Sequence, residues 1–209
     1  RERTGIGQHL DIALYDSQIA VLANVASNYL CSSEIPGRWG NAHKSIVPYE
    51  AFQAADDYLI LAIGNDEQWQ RFCTAAGVAA WAQDARFATN PQRVAHRETL
   101  IPLLYSLLSS KTVAEWLKLC AEADVPAGPV NAIDKVFADP QVNARGMLVQ
   151  MPHPTLGTVQ LAGTPLNLSA TPAEMRLPPP LLGEHTEAIL SRLCALDEGA
   201  IAELRRDGV

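Results

Sequence analysis

Apolar residues crowd the beginning of the chain. From Leu10 to Leu30 the residues are mainly Ala, Leu, Ile and Val, with apolar positions on nearly every face of a helix. A helix that is apolar all round has to be buried on all sides. We therefore expect a buried helix here, with partners supplied by the rest of the chain or, as we favour, by sequence that precedes Arg1.

Further along the chain, the apolar residues recur at the spacings of strands and amphipathic helices. Two strand-like runs, 47–52 and 58–63, flank an Ala55-Asp56-Asp57 turn and predict a hairpin. Each of the three helices that follow has a capping signal at its start. The predicted helices run from Asn65 to Gly77, from Asn90 to about Ser110 and from Thr112 to about Ala123. Residues 47–125 thus read as a small α+β unit.

The remaining residues begin with a proline–glycine segment, 125–130, which we interpret as a linker. The elements predicted beyond it are a short helix at 133–137, a helix started by Asp139-Pro140, a hairpin of 147–151 and 159–161 turned at Leu156-Gly157, an extended run at 178–183, and helices at about 186–194 and 197–206.

Composition narrows the possible functions. The chain is 48% hydrophobic and 19% charged, which excludes an intrinsically disordered protein. A net charge of −7 argues against a nucleic-acid partner, because neutralising phosphates needs a basic face. Asp11 and Asp16 are among the polar groups that make the first helix too polar to face lipid. We expect a soluble acidic protein without a membrane partner.

Candidate chemistry is sparse. None of the five histidines pairs at metal-ligand spacing, and the four cysteines lie far apart, so we predict no metal and reduced packing thiols in a cytosol-like compartment. Arg86, Arg93 and Arg97 lie near helix spacing and could hold a phosphate. A solvated helix face is the favoured interpretation.

A series of motifs resembles the class III CoA-transferases, which include formyl-CoA and carnitine CoA-transferases and α-methylacyl-CoA racemases. The matching motifs are Thr4-Gly5-Ile6-Gly7-Gln8, Arg38-Trp39-Gly40-Asn41-Ala42-His43, Val47-Pro48-Tyr49, Arg86-Phe87-Ala88-Thr89-Asn90-Pro91-Gln92-Arg93, Val125-Pro126-Ala127-Gly128-Pro129-Val130, Arg145-Gly146-Met147, Gly163-Thr164-Pro165 and Pro180-Leu181-Leu182-Gly183-Glu184-His185-Thr186. They occur in order over nearly the whole chain. Residues 38–49 look most like the succinyl-CoA:glutarate type.

The resemblance implies an α/β fold made of interlocked dimers. Each family chain is a ring in which a Rossmann-like large domain and a small α+β domain are joined by two linkers. This chain is similar to the C-terminal half. The implied segments are 1–31, the end of the first pass through the large domain; 32–46, the active-site loop and linker; 47–125, the small domain; and 126–209, the second linker and the return to the large domain.

The family's chemistry implies covalent catalysis. An aspartate attacks an acyl-CoA thioester, an aspartyl-CoA thioester forms, and a carboxylic acid acceptor takes the CoA. Coenzyme A thus enters as a substrate thioester. By the resemblance the nucleophile lies before Arg1 and matches neither Asp11 nor Asp16, so we expect no catalytic nucleophile and no activity in this chain alone. The implied location is the bacterial cytoplasm or the mitochondrial matrix.

What the chain can contribute is the loop Gly37–Ser45, because a glycine-rich loop near this place shields the family's intermediate from water. Gly40, Asn41 and His43 are the candidate site residues; the alternative is that Asn41 and His43 cap local backbone groups. Trp39 is a hinge or, preferably, a packing anchor.

Glu67 lies near the position of an accessory acid in the racemases. At a helix start a negative charge is favoured, so a capping role is the stronger interpretation.

Two classes of function stay open. One is an enzyme part that moves CoA between an acyl-CoA and a dicarboxylic acid such as succinate or glutarate, with a racemase-like enzyme part as its variant. The other is a non-catalytic module that binds a CoA ester or a partner chain.

Overall fold

A computed structural model describes residues 3–208. The chain divides into two compact units, Arg1–Val130 and Asn131–Val209, which we describe separately. Within the described range, no helix combines the length and hydropathy that a membrane crossing requires.

The described part of the first unit, residues 3–130, contains seven helices and three strands. The helices are α1 (Leu14–Val21), α2 (Ala23–Ser32), α3 (Asp66–Ala75), α4 (Ala79–Gln83), α5 (Asn90–Ala95), α6 (Arg97–Leu108) and α7 (Val113–Glu122). The strands are β1 (Tyr49–Gln53), β2 (Tyr58–Ala62) and β3 (Ala127–Pro129).

The three strands form one antiparallel sheet in the order β1-β2-β3. Gln53 pairs with Tyr58 across the predicted hairpin, which is confirmed. The segment predicted as a linker is instead strand β3, in which Pro129 pairs with Leu59. An edge strand tolerates prolines because its outer side needs no hydrogen-bond donor. Strand β2 therefore pairs with β3 as well as with β1, and the sequence did not predict the pairing with β3.

The core of this unit lies between the sheet and helices α3, α6 and α7. Alternate strand residues turn inward, as expected for a sheet covered on one face. The large, fully buried hydrophobic side chains include Phe52, Leu59, Leu61, Trp69, Phe72, Phe87, Leu100, Leu104, Leu108 and Trp116. Residues 47–125 therefore have a core of their own.

The beginning of the chain differs from its prediction. Instead of one buried helix over Leu10–Leu30, the structure has two helices, separated where Ala23 adopts a positive φ of 42°. Neither helix contains a buried residue: Leu14 is 91% exposed and Leu30 is 77% exposed. The expected burial fails because nothing else in the described part of the first unit covers these side chains.

The predicted helix from Asn90 to Ser110 is interrupted at His96. Both the backbone N–H and the ring Nδ1 of His96 lie 2.9 Å from the carbonyl oxygen of Gln92, so the side chain ends α5 locally. The capping box predicted at Thr112 and Glu115 is confirmed, as is the Asn65 cap of α3.

The second unit follows its prediction closely. Its elements are α8 (Ile133–Ala138), α9 (Pro140–Ala144), β4 (Leu148–His153), β5 (Gly157–Ala162), α10 (Thr186–Cys194) and α11 (Glu198–Arg206). Strands β4 and β5 form the expected hairpin. Gly163 has to be glycine, because a Cβ atom there would lie 2.6 Å from the carbonyl oxygen of Gly146.

The four cysteines are free thiols in two environments. Cys73 and Cys120 are buried, and burial raises the pKa of the Cys73 thiol to about 12 and that of Cys120 to about 11. Cys31 and Cys194 are exposed, so the prediction of packing thiols is wrong for these two.

Candidate active-site loop

The loop Gly37–Ser45 leads into β1 and contains a tight turn. The backbone N–H of Ala42 donates to the carbonyl oxygen of Trp39 at 3.0 Å. Gly40 lies inside this turn with φ +61°, and a Cβ atom there would meet nothing within 4 Å. Glycine is favoured here by the left-handed backbone conformation and not by crowding.

Asn41 and His43 each use one polar atom to hold nearby backbone. Asn41 Oδ1 accepts a hydrogen bond of 2.9 Å from the backbone N–H of Ala51, on the free side of β1. His43 Nδ1 accepts one of 3.1 Å from the backbone N–H of Ser45. The capping roles considered from the sequence are thus confirmed for both side chains.

These bonds leave the opposite ends of the two side chains available. Because His43 Nδ1 accepts, the neutral ring carries its proton on Nε2. Within residues 3–208, neither His43 Nε2 nor Asn41 Nδ2 has a hydrogen-bond partner. The His43 ring packs against Tyr49, with the ring centroids 5.6 Å apart. The loop therefore presents two donor nitrogens, Asn41 Nδ2 and His43 Nε2, and the ring that carries the second lies beside Tyr49.

Three residues of the segment 90–97 hold the backbone that follows the turn. Asn90 Nδ2 donates to Ser45 O at 2.8 Å, and Asn90 Oδ1 accepts from Val47 N at 3.1 Å. Arg93 Nε donates to Val47 O at 2.7 Å. Arg97 donates through one terminal nitrogen to the carbonyl oxygens of His43, at 2.6 Å, and Lys44, at 3.0 Å. We call Asn90, Arg93 and Arg97 the backbone clamp.

Arg93 is the buried centre of this clamp. It is 0% exposed, and its two terminal nitrogens donate to Phe87 O at 3.0 Å and to Asp66 Oδ1 at 2.9 Å. Its guanidinium group also lies over the Trp69 ring. The favoured sequence interpretation, a solvated arginine face, is wrong for Arg93 and holds only for Arg86, whose partner is the nearby Asp84.

The sequence contained a usable signal for the clamp. Asn90, Arg93 and Arg97 are spaced three and four residues apart, which places them on one helical face. That face continues into Leu100 and Leu104, which are fully buried. Polar residues in register with a buried stripe indicate burial with backbone partners.

The carboxyl group of Glu50, on β1, interacts electrostatically with Arg97 of the backbone clamp. Burial raises the pKa of its carboxyl group, and the positive charge of Arg97 partly offsets that rise. Burial is the main cause of the raised pKa of the Tyr105 hydroxyl, and the negative charge of Glu50 raises it further.

Glu67 lies in the first turn of α3 and is exposed. No hydrogen bond or ion pair of its side chain occurs among residues 3–208. The cap is Asn65, whose side chain accepts from Gln68 N, and the neighbouring Asp66 accepts from Asn90 N and Arg93. The structure thus ties Asp66 to the clamp and does not tie Glu67 to it.

Taken with the fold, these contacts define a mixed α/β chain in which a motif-bearing loop is fixed against the edge of a small sheet. A model of CoA-transferase family III matches residues 1–186. The chain belongs to CoA-transferase family III, and the resemblance seen in its motifs is confirmed. In the part of the chain that the structure describes, no group of three or more His, Cys, Asp or Glu side chains could hold a metal ion.

Relatives and solved structures agree with this assignment. The succinyl-CoA:glutarate CoA-transferase of Mus musculus is 39% identical over 209 residues, which are 100% of this chain and 48% of that protein. The succinate–glutarate CoA-transferase of Agrobacterium fabrum is 43% identical over 198 residues, 95% of this chain and 50% of that protein. A CAIB/BAIF family protein from Brucella suis superposes with a TM-score of 0.78 at 42% identity, covering 92% of this chain and 50% of its own. The chain spans about half the length of these relatives.

Proposed function

We propose that this chain is part of a CoA-transferase that moves CoA between an acyl-CoA and a dicarboxylic acid such as succinate or glutarate. The family match and the named activities of the Mus musculus and Agrobacterium fabrum relatives support this substrate class. In the proposed reaction, an aspartate carboxylate outside this chain attacks the acyl-CoA thioester, which gives a mixed anhydride and a CoA thiolate. The thiolate attacks the aspartyl carbonyl of this anhydride, so that an aspartyl-CoA thioester forms and the donor acid is released. The acceptor carboxylate then attacks the aspartyl-CoA carbonyl and expels the thiolate, which attacks the acceptor carbonyl of the new anhydride to give the new acyl-CoA and the free aspartate.

The observation that carries the proposal is the pair of free donors on the loop. Asn41 and His43 each anchor through one atom, so the Asn41 amide N–H groups and the His43 Nε2–H point away from their backbone partners. Preorganised N–H donors stabilise negative charge that develops on an oxygen during acyl transfer. They also suit the distal carboxylate of a dicarboxylic acyl group. Gly40 gives the loop the turn that places both residues.

The same loop would protect the intermediate. A mixed anhydride or thioester that meets water is hydrolysed, so a loop held against the sheet keeps the reaction on the transfer path. The backbone clamp supports that position through its hydrogen bonds to the carbonyl oxygens of the loop and of Val47. Gly40, Asn41 and His43 are therefore the proposed site residues, and the structure offers less support for Glu67 as an accessory acid.

We further propose that the complete protein is an interlocked dimer with a Rossmann-like large domain. Residues 1–31 and 126–209 would belong to that domain and its linker, and 47–125 would form the small domain. The exposed apolar surface of α1 and α2, which includes Leu14 and Leu30, supports this arrangement because a surface of this kind needs a partner.

The test compares a longer protein that carries this chain with the 209 residues alone. Each is incubated with succinyl-CoA and glutarate, glutaryl-CoA is followed by mass spectrometry, and hydroxylamine is added to trap acyl or CoA adducts. We expect transfer by the longer protein and none by the isolated chain, because a nucleophile and its surroundings act as a unit. A trapped adduct on Asp11 or Asp16, or turnover by the isolated chain, would show that the nucleophile has been misplaced.

A further inference from the structure

We infer that Arg97 is a positioning residue for transfer, which fixes the loop Gly37–Ser45 in the conformation that presents Asn41 and His43. This inference rests on the proposed function of the loop. Arg97 itself lies at the start of α6 and touches neither candidate donor atom through its hydrogen bonds.

The backbone of His43 is held from both of its ends. Its N–H donates to Tyr49 O at 2.9 Å, and its carbonyl oxygen accepts from Arg97 at 2.6 Å. The next carbonyl, that of Lys44, accepts from the same nitrogen at 3.0 Å. Because peptide units are planar, fixing these groups fixes the orientation of the units on either side of His43. The direction of the His43 side chain therefore depends on Arg97.

Arg97 also joins the start of the loop to its end. Its guanidinium carbon lies 4.4 Å from the centroid of the Trp39 ring, at a distance that permits cation–π attraction. Trp39 is 42% exposed, so its contact with Arg97, and not deep burial, restrains the ring. The turn that contains Gly40 and Asn41 starts at Trp39. One side chain thus restrains both sides of the turn, which favours the packing-anchor interpretation of Trp39.

The other nitrogens of Arg97 do not tie it to the rest of the unit. Nε and the second terminal nitrogen are buried, with no hydrogen-bond partner among the described residues. Glu50 is near enough to act on Arg97 electrostatically, but the two form no ion pair within residues 3–208. Because a buried donor without a partner is unfavourable, the stabilising contacts of Arg97 are those that it makes with the loop. A lysine could keep the charge but could not both stack as a plane and reach the same carbonyls.

The chain contains a matched control for this arrangement. Arg71 also binds two successive backbone carbonyls, Ala123 O through Nε at 2.9 Å and Asp124 O through a terminal nitrogen at 2.7 Å. These carbonyls follow α7 and are not part of the loop. Arg71→Lys therefore removes comparable chemistry and leaves the loop intact.

The first measurement is hydrogen exchange of the 209-residue chain, followed by mass spectrometry of peptides that cover residues 39–49. We expect Arg97→Lys to speed exchange of the His43 and Ser45 amides about tenfold or more, and Arg71→Lys to leave them unchanged. Equal exchange in wild type and Arg97→Lys would overturn the inference that Arg97 holds the loop.

The second measurement is the ratio of succinyl-CoA hydrolysis to CoA transfer in the longer protein, with glutarate as the acceptor. We expect Arg97→Lys to raise this ratio several-fold at a melting temperature close to that of Arg71→Lys, which keeps the wild-type ratio. A loosened loop with an unchanged ratio would overturn the link between loop position and transfer. A wild-type protein without transfer would instead refute the proposed function, and hydrogen exchange would still decide whether Arg97 holds the loop.

Discussion

Replacing Arg93 with methionine tests whether the clamp is structural. The side chain is fully buried, and methionine keeps much of its length while removing the charge and every donor. The acceptors that lose a partner are Val47 O, Phe87 O and Asp66 Oδ1. The Asp66 side chain is 43% exposed and can bind water instead. The two carbonyls cannot, and each buried acceptor left unsatisfied costs ~1–3 kcal/mol.

The free energy of unfolding should therefore fall by about 3 kcal/mol in Arg93→Met, at the lower end of the range for breaking a buried ion pair. Urea unfolding of the 209-residue chain, followed by tryptophan fluorescence, measures this loss. Arg86→Met is the matched control, because Arg86 is exposed and its ion pair with Asp84 lies at the surface, where such a pair contributes far less than a buried one. Equal losses in the two variants, or a loss below about 1 kcal/mol in Arg93→Met, would refute the clamp.

Two further outcomes follow from burial. Cys31 and Cys194 should react with a thiol reagent in the folded chain, whereas Cys73 and Cys120 should react only on unfolding, because burial raises their pKa; four equally fast thiols would contradict this. Burial also raises the pKa of Glu50 in the folded state, so its ionised form destabilises the fold at neutral pH. Glu50→Gln should raise the melting temperature at pH 7, with a benefit that shrinks as the pH falls through the Glu50 pKa; a constant difference would count against that cause.

Local signals predicted most of the elements. Asn65 and the Thr112–Glu115 pair mark helix starts because their side chains satisfy the first free N–H groups, and the structure contains both caps. Strand β3 was missed because Val125–Val130 looks like a linker by composition. It becomes a strand only because β2 offers it an unpaired edge. That information lies about 70 residues earlier in the chain.

The residues of the candidate site, whose role in the reaction is a proposal, could be selected from the sequence only in part. Motif resemblance singled out Gly40, Asn41 and His43, and the structure places them in one loop. The clamp was not predicted, because the partners of Arg93 and Arg97 are backbone carbonyls 46 and 54 residues away. Their register with the buried Leu100 and Leu104 indicates burial, but it does not identify these distant acceptors.

The exposed helices α1 and α2 also show what cannot be predicted from the sequence of an element alone. Their apolar pattern predicted a single buried helix, yet Leu14 and Leu30 are exposed. A hydrophobic pattern predicts the need for a partner and does not identify it.

The most direct test of the account replaces His43 with alanine in a longer protein that carries this chain. His153→Ala is the matched control, because His153 Nδ1 also accepts from local backbone, from Leu156 N at 3.2 Å, in a hairpin of the second unit. We predict that His43→Ala lowers kcat/KM for transfer from succinyl-CoA to glutarate by about tenfold or more, or about 1.4 kcal/mol of transition-state stabilisation. Its melting temperature should match that of His153→Ala, which should keep wild-type kcat/KM. A wild-type kcat/KM in His43→Ala, beside a large drop in melting temperature, would show that His43 supports the fold and not the reaction.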